Sequence, residues 1–461
     1  MNLFRRARFW ASLWGGKLWL WKIRFVGRPR NDRPGMVSMR LYPGFLYDVA
    51  KPKLTIVVSG TNGKTTTAAM VTDVLRARGM KVSFNDWGAN HHAGVARVLL
   101  DGIDWRNRQH VDAAVIELDE LISPEDLPAL QPDYMIITNL ARDSMLRNAH
   151  PDFIRSRLSK AVESSPNTTL ILNADDPISS TLGAHHHRVF FGVKPEKSAP
   201  VPEYANDYPI CDACGAVPEY RYRLYRHLGD VVCPKCGKKS PNRDFFVTAV
   251  NKEKRTMTVQ EPNGTAVYPL ASCSLHNVAN EAAVAALLRT MGVAPKELSK
   301  NMCACAILPS RETTMQVGDV RLCTRIAKGQ NPTAVNTVLD DLATDTTPKV
   351  LVMILDEKYE TPLKTETIAW IYDVDYSKLN QPSVKKIIVG GARYLDHRLR
   401  LLLSGVPEEK MVCVPTEEET AQYVSTDGVE EIIVLHDVNA ITRGRLLRDA
   451  IAEKIRKEGT Q

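Results

Sequence analysis

Seven consecutive residues, Gly60-Thr61-Asn62-Gly63-Lys64-Thr65-Thr66, have the composition of a phosphate cradle. Glycines let a backbone wrap closely around phosphate oxygens, and the amides at a helix start point at them. Lys64 adds positive charge at the β/γ oxygens, and the Thr65 hydroxyl can ligate Mg²⁺. The spacing is GxxGKT, shorter than the GxxxxGK[ST] of most P-loop enzymes. The plain alternative is a glycine turn before an ordinary helix. The flanks argue against it: the β-branched run Leu54–Ser59 leads in, and a helical pattern runs on to Arg78.

Two acidic patches could complete a metal site. Glu117 ends the apolar run Val111–Ile116, where ligands collect in open α/β sheets, and could hold Mg²⁺ directly or through water. Asn173-Ala174-Asp175-Asp176-Pro177 also ends a strand-like run and reads equally well as a turn with a helix cap. Cys211-Asp-Ala-Cys214 and Cys233-Pro-Lys-Cys236 form two CxxC knuckles. Four thiolates in this spacing suit a closed, structural Zn²⁺ site that staples an insert too small for its own core. The other five cysteines carry no assigned role. His276-Asn277-Val-Ala-Asn280 opens a helix and sets Asn277 and Asn280 one turn apart. Amides there could read an adenine edge or serve as an N-cap and a core polar group. Arg311 could reach phosphate or lie on the surface. Asp356, after the run Val350–Leu355, could orient a histidine, take part in acid/base work, or cap the next element.

The elements that must position these residues form two alternating sets. Strands are expected at Leu54–Ser59, Val111–Ile116, Tyr134–Thr138, Thr169–Asn173 and Arg188–Gly192. Near-continuous apolar strands separated by helices imply a parallel sheet covered on both faces. The Pro-, Tyr- and Cys-rich stretch Pro200–Arg243 interrupts the rhythm. Phe245–Leu270 then alternates like a hairpin with Asn263-Gly264 as its turn, and a helix follows over about Asn277–Met291. A second set, with strands at Leu322–Ala327, Val350–Leu355, Lys386–Val389, Met411–Val414 and Glu431–Leu435, reads as another doubly wound domain. The expected division is a basic, Trp-rich segment at 1–44, an ATP-binding domain at 45–311 with its zinc-ribbon insert at about 204–243, and a C-terminal α/β domain at 312–461.

Charge is concentrated at one end. Of the 461 residues, 60 are Lys or Arg and 53 Asp or Glu, giving a net +7. Residues 1–40 alone hold ten basic side chains and one acid, which leaves the rest of the chain at −2. The basic pI therefore describes a tail, and no nucleic-acid partner is expected. Arg8, Lys17 and Lys22 interrupt the apolar stretch, so a removable signal peptide is not expected, and a reducing cytoplasm suits the metal reading of the cysteines. Leu3, Ala7, Trp10, Trp14, Leu18, Trp21 and Phe25 share one helical face with Arg6, Lys17 and Arg24 at its margin. Residues 1–30 could lie peripherally on an anionic bilayer at its inner face, or pack on the body of the protein; Gly15-Gly16 should weaken such a helix.

Taken together, GTNGKTTT, Asn85-Asp-Trp-Gly88-Ala89-Asn90, the Glu117 strand, Thr138-Asn139-Leu140 with Arg142-Asp143, NADDP and HNxxN resemble the ATP-dependent Mur ligase superfamily. The four-cysteine insert, Asn331-Pro332, Asp356 and Trp370-Ile-Tyr-Asp373-Val-Asp375 narrow the resemblance to the branch that amidates lipid II. The resemblance runs over about residues 45–440. It implies a Mur ligase-like central ATPase domain with an inserted zinc ribbon, followed by a Rossmann-like α/β domain. It also implies ATP-dependent conversion of the stem-peptide D-glutamate α-carboxylate to D-isoglutamine. On the same basis Thr65 and Glu117 hold Mg²⁺, Asn280 contacts adenine, Arg311 lies near phosphate or ribose, and Asp356 completes a Cys-His-Asp arrangement with a GatD-like class I glutaminase. The chain departs from the family at Leu355-Asp356-Glu357, at Thr361–Glu366, at Lys328–Pro332 and at Pro309-Ser310-Arg311. None of its nine cysteines sits on a nucleophile elbow or at residue 2, so ammonia from glutamine requires a partner. The other readings are a ligase adding an amino acid to a carboxylate, as in folyl- or peptidyl-glutamate synthesis, and a zinc-ribbon nucleic-acid-binding ATPase.

Overall fold

A computed structural model describes residues 3–26, 31–85, 89–142, 150–199, 206–305, 312–327, 331–355, 368–437 and 440–458. They group into two compact units that divide near residue 307.

In the first unit, α1 (Leu3–Val26), α2 (Arg33–Leu41) and α3 (Phe45–Asp48) precede β1 (Leu54–Ser59). The chain continues through α4 (Lys64–Ala77), β2 (Val82–Phe84), α5 (His92–Gly102), β3 (Ala113–Glu117), α6 (Ser123–Leu130) and β4 (Tyr134–Ile137). Next come α7 (Pro151–Glu163), β5 (Thr169–Asn173) and β6 (Arg188–Val193), then the small hairpin β7 (Glu219–Tyr225) and β8 (Leu228–Val232). A meander of β9 (Phe245–Asn251), β10 (Thr256–Glu261) and β11 (Gly264–Pro269) leads to α8 (Leu275–Thr290) and α9 (Pro295–Met302).

Nine strands form one sheet in the order β11-β10-β9-β6-β5-β4-β1-β3-β2. Pairing is parallel from β2 to β9 and antiparallel only within the meander. β3 is buried throughout and β1 after its first residue, as strands covered on both faces must be. Val57, Ile116, Met135, Ile137, Leu170 and Leu172 face a core built with α1, α5 and α7. On the other face, α4 and α8 pack on the strands and on each other. The meander has three strands rather than two. Its second turn is Pro262-Asn263, because Glu261 pairs directly with Gly264; Gly264, at φ +132°, already belongs to the strand.

The N-terminal helix is unbroken through Gly15-Gly16. A Cβ on Gly16 would stand 2.3 Å from Ser38 Oγ and 2.9 Å from Leu100, and one on Gly35 would collide with the Ala93 carbonyl. The glycines are therefore where α1, α2 and α5 cross, and close packing offsets their weak helix propensity. Phe9, Leu13, Leu20 and Ile23 are buried in this crossing, so the helix packs on the body. Of the face named from the sequence, Trp10 packs against the edge of this core, while Leu3, Ala7, Trp14, Leu18, Trp21 and Phe25 are exposed.

The second unit contains β12 (Glu312–Val317), β13 (Val320–Ala327), α10 (Pro332–Thr344), β14 (Lys349–Ile354), α11 (Ala369–Tyr372), β15 (Val384–Gly390), α12 (Tyr394–Leu403), β16 (Met411–Val414), β17 (Glu431–Asp437) and α13 (Ile441–Glu458). Its sheet order is β12-β13-β17-β14-β15-β16, with only β12 antiparallel. Leu351, Met353, Ile433 and Leu435 face α10 and α12, while Val350, Val352, Ile432 and Val434 face α13. This is an α/β sheet covered on both sides. The Trp370–Asp375 segment belongs to its core: Trp370 is buried, and Asn336 clamps the turn by donating to the Asp373 carbonyl and accepting from the Asp375 amide.

Candidate nucleotide site and four-cysteine cluster

The cradle loop joins β1 to α4 and is held from behind by the segment after β4. Thr138 Oγ1 donates to the Asn62 carbonyl at 2.6 Å, and Asn139 Nδ2 donates to the same oxygen at 3.1 Å. Thr61 donates its amide to Asn139 O at 2.8 Å, and its hydroxyl accepts from the Ala141 amide at 3.0 Å. Gly60, at φ +124°, lies so close that a Cβ would stand 2.4 Å from Thr138 Oγ1. Gly63 is left-handed at φ +85° and turns the chain into α4, whose first residues are Lys64, Thr65 and Thr66. The result is a loop fixed at both ends before any ligand arrives, ending at a helix N-terminus with its partial positive charge.

Lys64 Nζ donates to Glu120 Oε2 at 3.0 Å, to Thr61 O at 3.3 Å and to the Gly60 carbonyl. Its ammonium is thus held over the loop by a carboxylate that is 1 % exposed. Glu117 is buried at the end of β3, which pairs in parallel with β1 in the register Val58 to Glu117. That register sets Glu117 beside the beginning of the cradle loop. Asn85 pins the strand end from both sides: its Oδ1 accepts from the Glu117 amide at 2.9 Å, and its Nδ2 donates to the Glu117 carbonyl at 2.9 Å. Asn90 Nδ2 donates to Glu117 Oε1 at 3.4 Å. A buried carboxylate and the Thr65 hydroxyl on adjoining elements are oxygen donors of the kind Mg²⁺ takes. The sequence singled out Glu117 and Thr65; it did not reveal that Glu120 holds the lysine or that Asn85 sets the strand end.

Asn280, near the start of α8, is buried against the loop, and a Cβ on Gly63 would meet its Oδ1 at 2.4 Å. A small cleft opens here, lined by Asn62, Gly63, Asn139, Tyr225, His276 and Asn280 among others. Asn277 lies one turn earlier on α8 and is not part of this lining. Tyr225, from the four-cysteine insert, was not foreseen as a site residue. Its ring lies 4.2 Å from that of His276, centroid to centroid. Nothing in a sequence of alternating Tyr and Arg distinguishes the tyrosine that reaches the cleft.

The insert is seated on the two carboxylates of the NADDP turn. Asp175 accepts from the Val193 amide at 2.7 Å, the Tyr222 hydroxyl at 2.9 Å and Arg243 Nη2 at 2.6 Å. Burial pushes its pKa above the usual carboxylate range, against the pull of Arg243. Asp176 accepts from the Leu140 amide at 2.7 Å and lies 3.5 Å from the buried His227 ring. Of the two readings of this patch, the structure supports the structural turn.

Cys211, Cys214, Cys233 and Cys236 converge so that all four sulfurs lie within 4.8 Å of one another. The pairs Cys211–Cys236 and Cys214–Cys233 are 3.7 and 3.4 Å apart. Zn–S bonds of about 2.3 Å in a tetrahedron require sulfurs roughly 3.8 Å apart, so these two pairs are near the spacing that a four-thiolate zinc site needs. In both knuckles the glycine after the second cysteine is left-handed and returns its amide to the first cysteine's carbonyl, Gly215 to Cys211 and Gly237 to Cys233. The Cys236 amide is the main influence drawing the Cys233 thiol down to about 6, while the hydrogen bond to Cys233 helps push the Cys236 thiol up to about 12, as expected of thiols crowded together with one proton shared between them. Asp356 and Arg311 lie outside the described residues.

The two units match two family models. Residues 58–204 match the Mur ligase middle domain, and residues 329–441 match the MurT ligase C-terminal domain. The class is therefore a Mur-type ligase. Along nearly its whole length the chain is similar to MurT subunits of lipid II isoglutaminyl synthase (glutamine-hydrolyzing). It is 26 % identical to that of Streptococcus pneumoniae, covering 92 % of this chain and 93 % of the relative. It is 28 % identical to that of Staphylococcus aureus, covering 91 % and 94 %. Among solved structures, a pseudomurein peptide ligase type C from Methanothermus fervidus superposes with a TM-score of 0.66 at 18 % identity, covering 88 % of this chain and 80 % of that one. MurF from Acinetobacter baumannii gives 0.65 at 17 %, covering 90 % and 80 %. These structures share the fold.

Proposed function

We propose that this protein is the ligase subunit of a lipid II-amidating complex. One observation carries the reading: a single chain combines the cradle of a Mur ligase middle domain, a four-cysteine insert and a MurT-type C-terminal domain, and it aligns with MurT subunits over 92 % of its length. The α-carboxylate of D-glutamate in the stem peptide attacks the γ-phosphorus of ATP, releasing ADP and forming an acyl phosphate. Ammonia then adds to the acyl carbon and phosphate leaves, giving D-isoglutamine. Lys64 and the amides of Gly60–Thr66 offset charge on the transferring phosphoryl group. Thr65 and Glu117 are the residues to hold Mg²⁺, which supplies further charge neutralisation. Asn280, with Asn277 and Arg311, is assigned to the nucleoside and phosphate ends of ATP. We read the second unit as Rossmann-like, the four cysteines as holding a structural Zn²⁺, and the site of action as the cytoplasmic face of the membrane, where a lipid-linked substrate lies.

Ammonia comes from a GatD-like class I glutaminase partner, and Asp356 is assigned to that partner's Cys-His pair. Asp356→Asn is expected to spare amidation driven by ammonium and to abolish the reaction driven by glutamine in the reconstituted complex. Equal loss of both would remove Asp356 from that role. Amino-acid-dependent phosphate release without amidated product would instead assign the chain to the ligases that extend a peptide.

A further inference from the structure

The helix α1 is apolar on two opposite faces, and only one is used inside the protein. Phe9, Leu13, Leu20 and Ile23 pack against α2, α3 and α5. On the other side Leu18, Trp21 and Phe25 are 58, 60 and 78 % exposed, with Leu3 and Phe4 beyond them. Trp21 and Phe25 stack at 5.4 Å. The surface continues onto a different segment: Trp14 Nε1 donates to the Trp105 carbonyl at 3.2 Å, and Trp105 is itself 46 % exposed.

Its margins are basic. Arg6 and Arg24 lie along one edge of the stripe, Arg8 and Lys22 along the other, and the exposed Arg106 and Arg108 follow Trp105 in the chain. Residues 1–31 contain no acid at all. Nearby acids are already engaged: Asp101 accepts from Arg97 and Arg24, and Asp104 from Arg108 and two backbone amides. Lys17, at the margin of the face in the sequence, instead turns inward and donates to the Leu100 and Ile103 carbonyls at the end of α5. It therefore anchors the helix and is not part of the outer surface. A helix of 24 residues is about 36 Å long, and among the described residues none is long and apolar enough to cross a membrane.

We infer that the outer face of α1, extended by Trp105, is a docking surface for an anionic lipid bilayer. Protruding Trp, Phe and Leu side chains with Arg and Lys on both flanks are what an in-plane helix inserts at a charged lipid interface. A protein partner of matching charge is the less favoured occupant, because a row of aromatic side chains standing clear of the surface offers no groove. The docking would hold the ligase on the surface that carries its substrate. To that extent it rests on the proposed function, but its test does not.

The full chain is sedimented with vesicles of phosphatidylcholine alone and with vesicles containing phosphatidylglycerol. Binding to the anionic vesicles is expected, weakened by salt, and at least tenfold weaker in L18E/W21E/F25E. The melting temperature of that variant should be unchanged, because the three side chains are exposed. On lipid II dispersed in detergent the variant should turn over as wild type does, whereas on lipid II in vesicles its KM should rise. Absence of wild-type binding to anionic vesicles, or equal binding by the variant, overturns the inference, as does a vesicle-independent dimer that the variant dissociates. Failure of amidation in detergent with vesicle binding intact would strike the proposed function alone.

Discussion

Asp175→Asn is the perturbation that separates a seat for the insert from a metal ligand. Asp175 is 1 % exposed and its main cation is Arg243, 10 % exposed, with Asp230 3.4 Å from the same guanidinium. Removing one partner of such a pair leaves a buried charge, at a cost of about 3–5 kcal/mol. Asp230 tempers that, and an asparagine oxygen can still accept from the Val193 amide or Tyr222, so about 2–4 kcal/mol is expected. At roughly 2 °C per kcal/mol for a large unit, thermal unfolding should shift down by on the order of 4–8 °C. Because Tyr222 and Tyr225 share β7, the affinity for ATP should weaken as well. Differential scanning fluorimetry with and without Mg-ATP reads both. The second substitution R243M, made in the D175N background, should restore part of the loss, since the unpaired guanidinium is gone and Asp230 keeps its ion pair with Arg221. An unchanged melting temperature together with an altered Mg²⁺ requirement would refute the reasoning and return Asp175 to the metal site.

Three further outcomes follow from the same geometry. Lys64→Ala should lower ammonium-driven amidation by a factor of about 100–1,000, the range for loss of one preorganised charge at a developing oxyanion; a loss below tenfold would count against its phosphate role. Purified protein should contain one zinc per chain by elemental analysis. Cys233→Ser should release it, lower the melting temperature and weaken ATP binding through Tyr225, whereas metal-free protein with wild-type ATP affinity would uncouple insert and cleft. Glu281 is fully buried on α8 and accepts from the Ala271 and Ser272 amides, and burial raises its pKa from 4.5 to about 7. The folded state therefore keeps a proton that the unfolded state releases. Its stabilising contribution should fade as pH rises from about 4.5 to 7, by roughly 2–3 kcal/mol. Glu281→Gln should flatten urea-derived stability between pH 5 and 8, and an unaltered slope would exclude Glu281 as the cause.

The elements that hold the cradle were legible because their signals are local. A β-branched run, a glycine-rich turn and a helical pattern placed β1, the loop and α4, and the apolar runs placed β4, β5, β6 and the parallel strands of the second unit. The boundary of β3 shifted from Val111 to Ala113, and β2 is too short at three residues to stand out. The meander was read as a hairpin because Asn263-Gly264 is a strong turn pair, but cross-strand pairing, which decides the register, moved the turn one residue back. The two uses of α1 could not be separated in one dimension: both of its faces are apolar, and only the crossing at Gly16 and Ser38 shows which is covered. In the site, residue types announced Lys64, Thr65, Glu117 and the four cysteines. Asn85 and Glu120 lie in stretches the sequence did mark, but their roles come from tertiary contacts, Asn85 with the end of β3 and Glu120 with Lys64; Tyr225 lies in a run of Tyr and Arg that carries no such mark.

The most direct test of the central claim is mass spectrometry of lipid II incubated with this chain, Mg-ATP and ammonium. The account predicts conversion of the D-glutamate α-carboxylate to the amide, with one ADP and one phosphate released per amide formed. Unchanged lipid II under these conditions, with the protein folded and binding ATP, would contradict it.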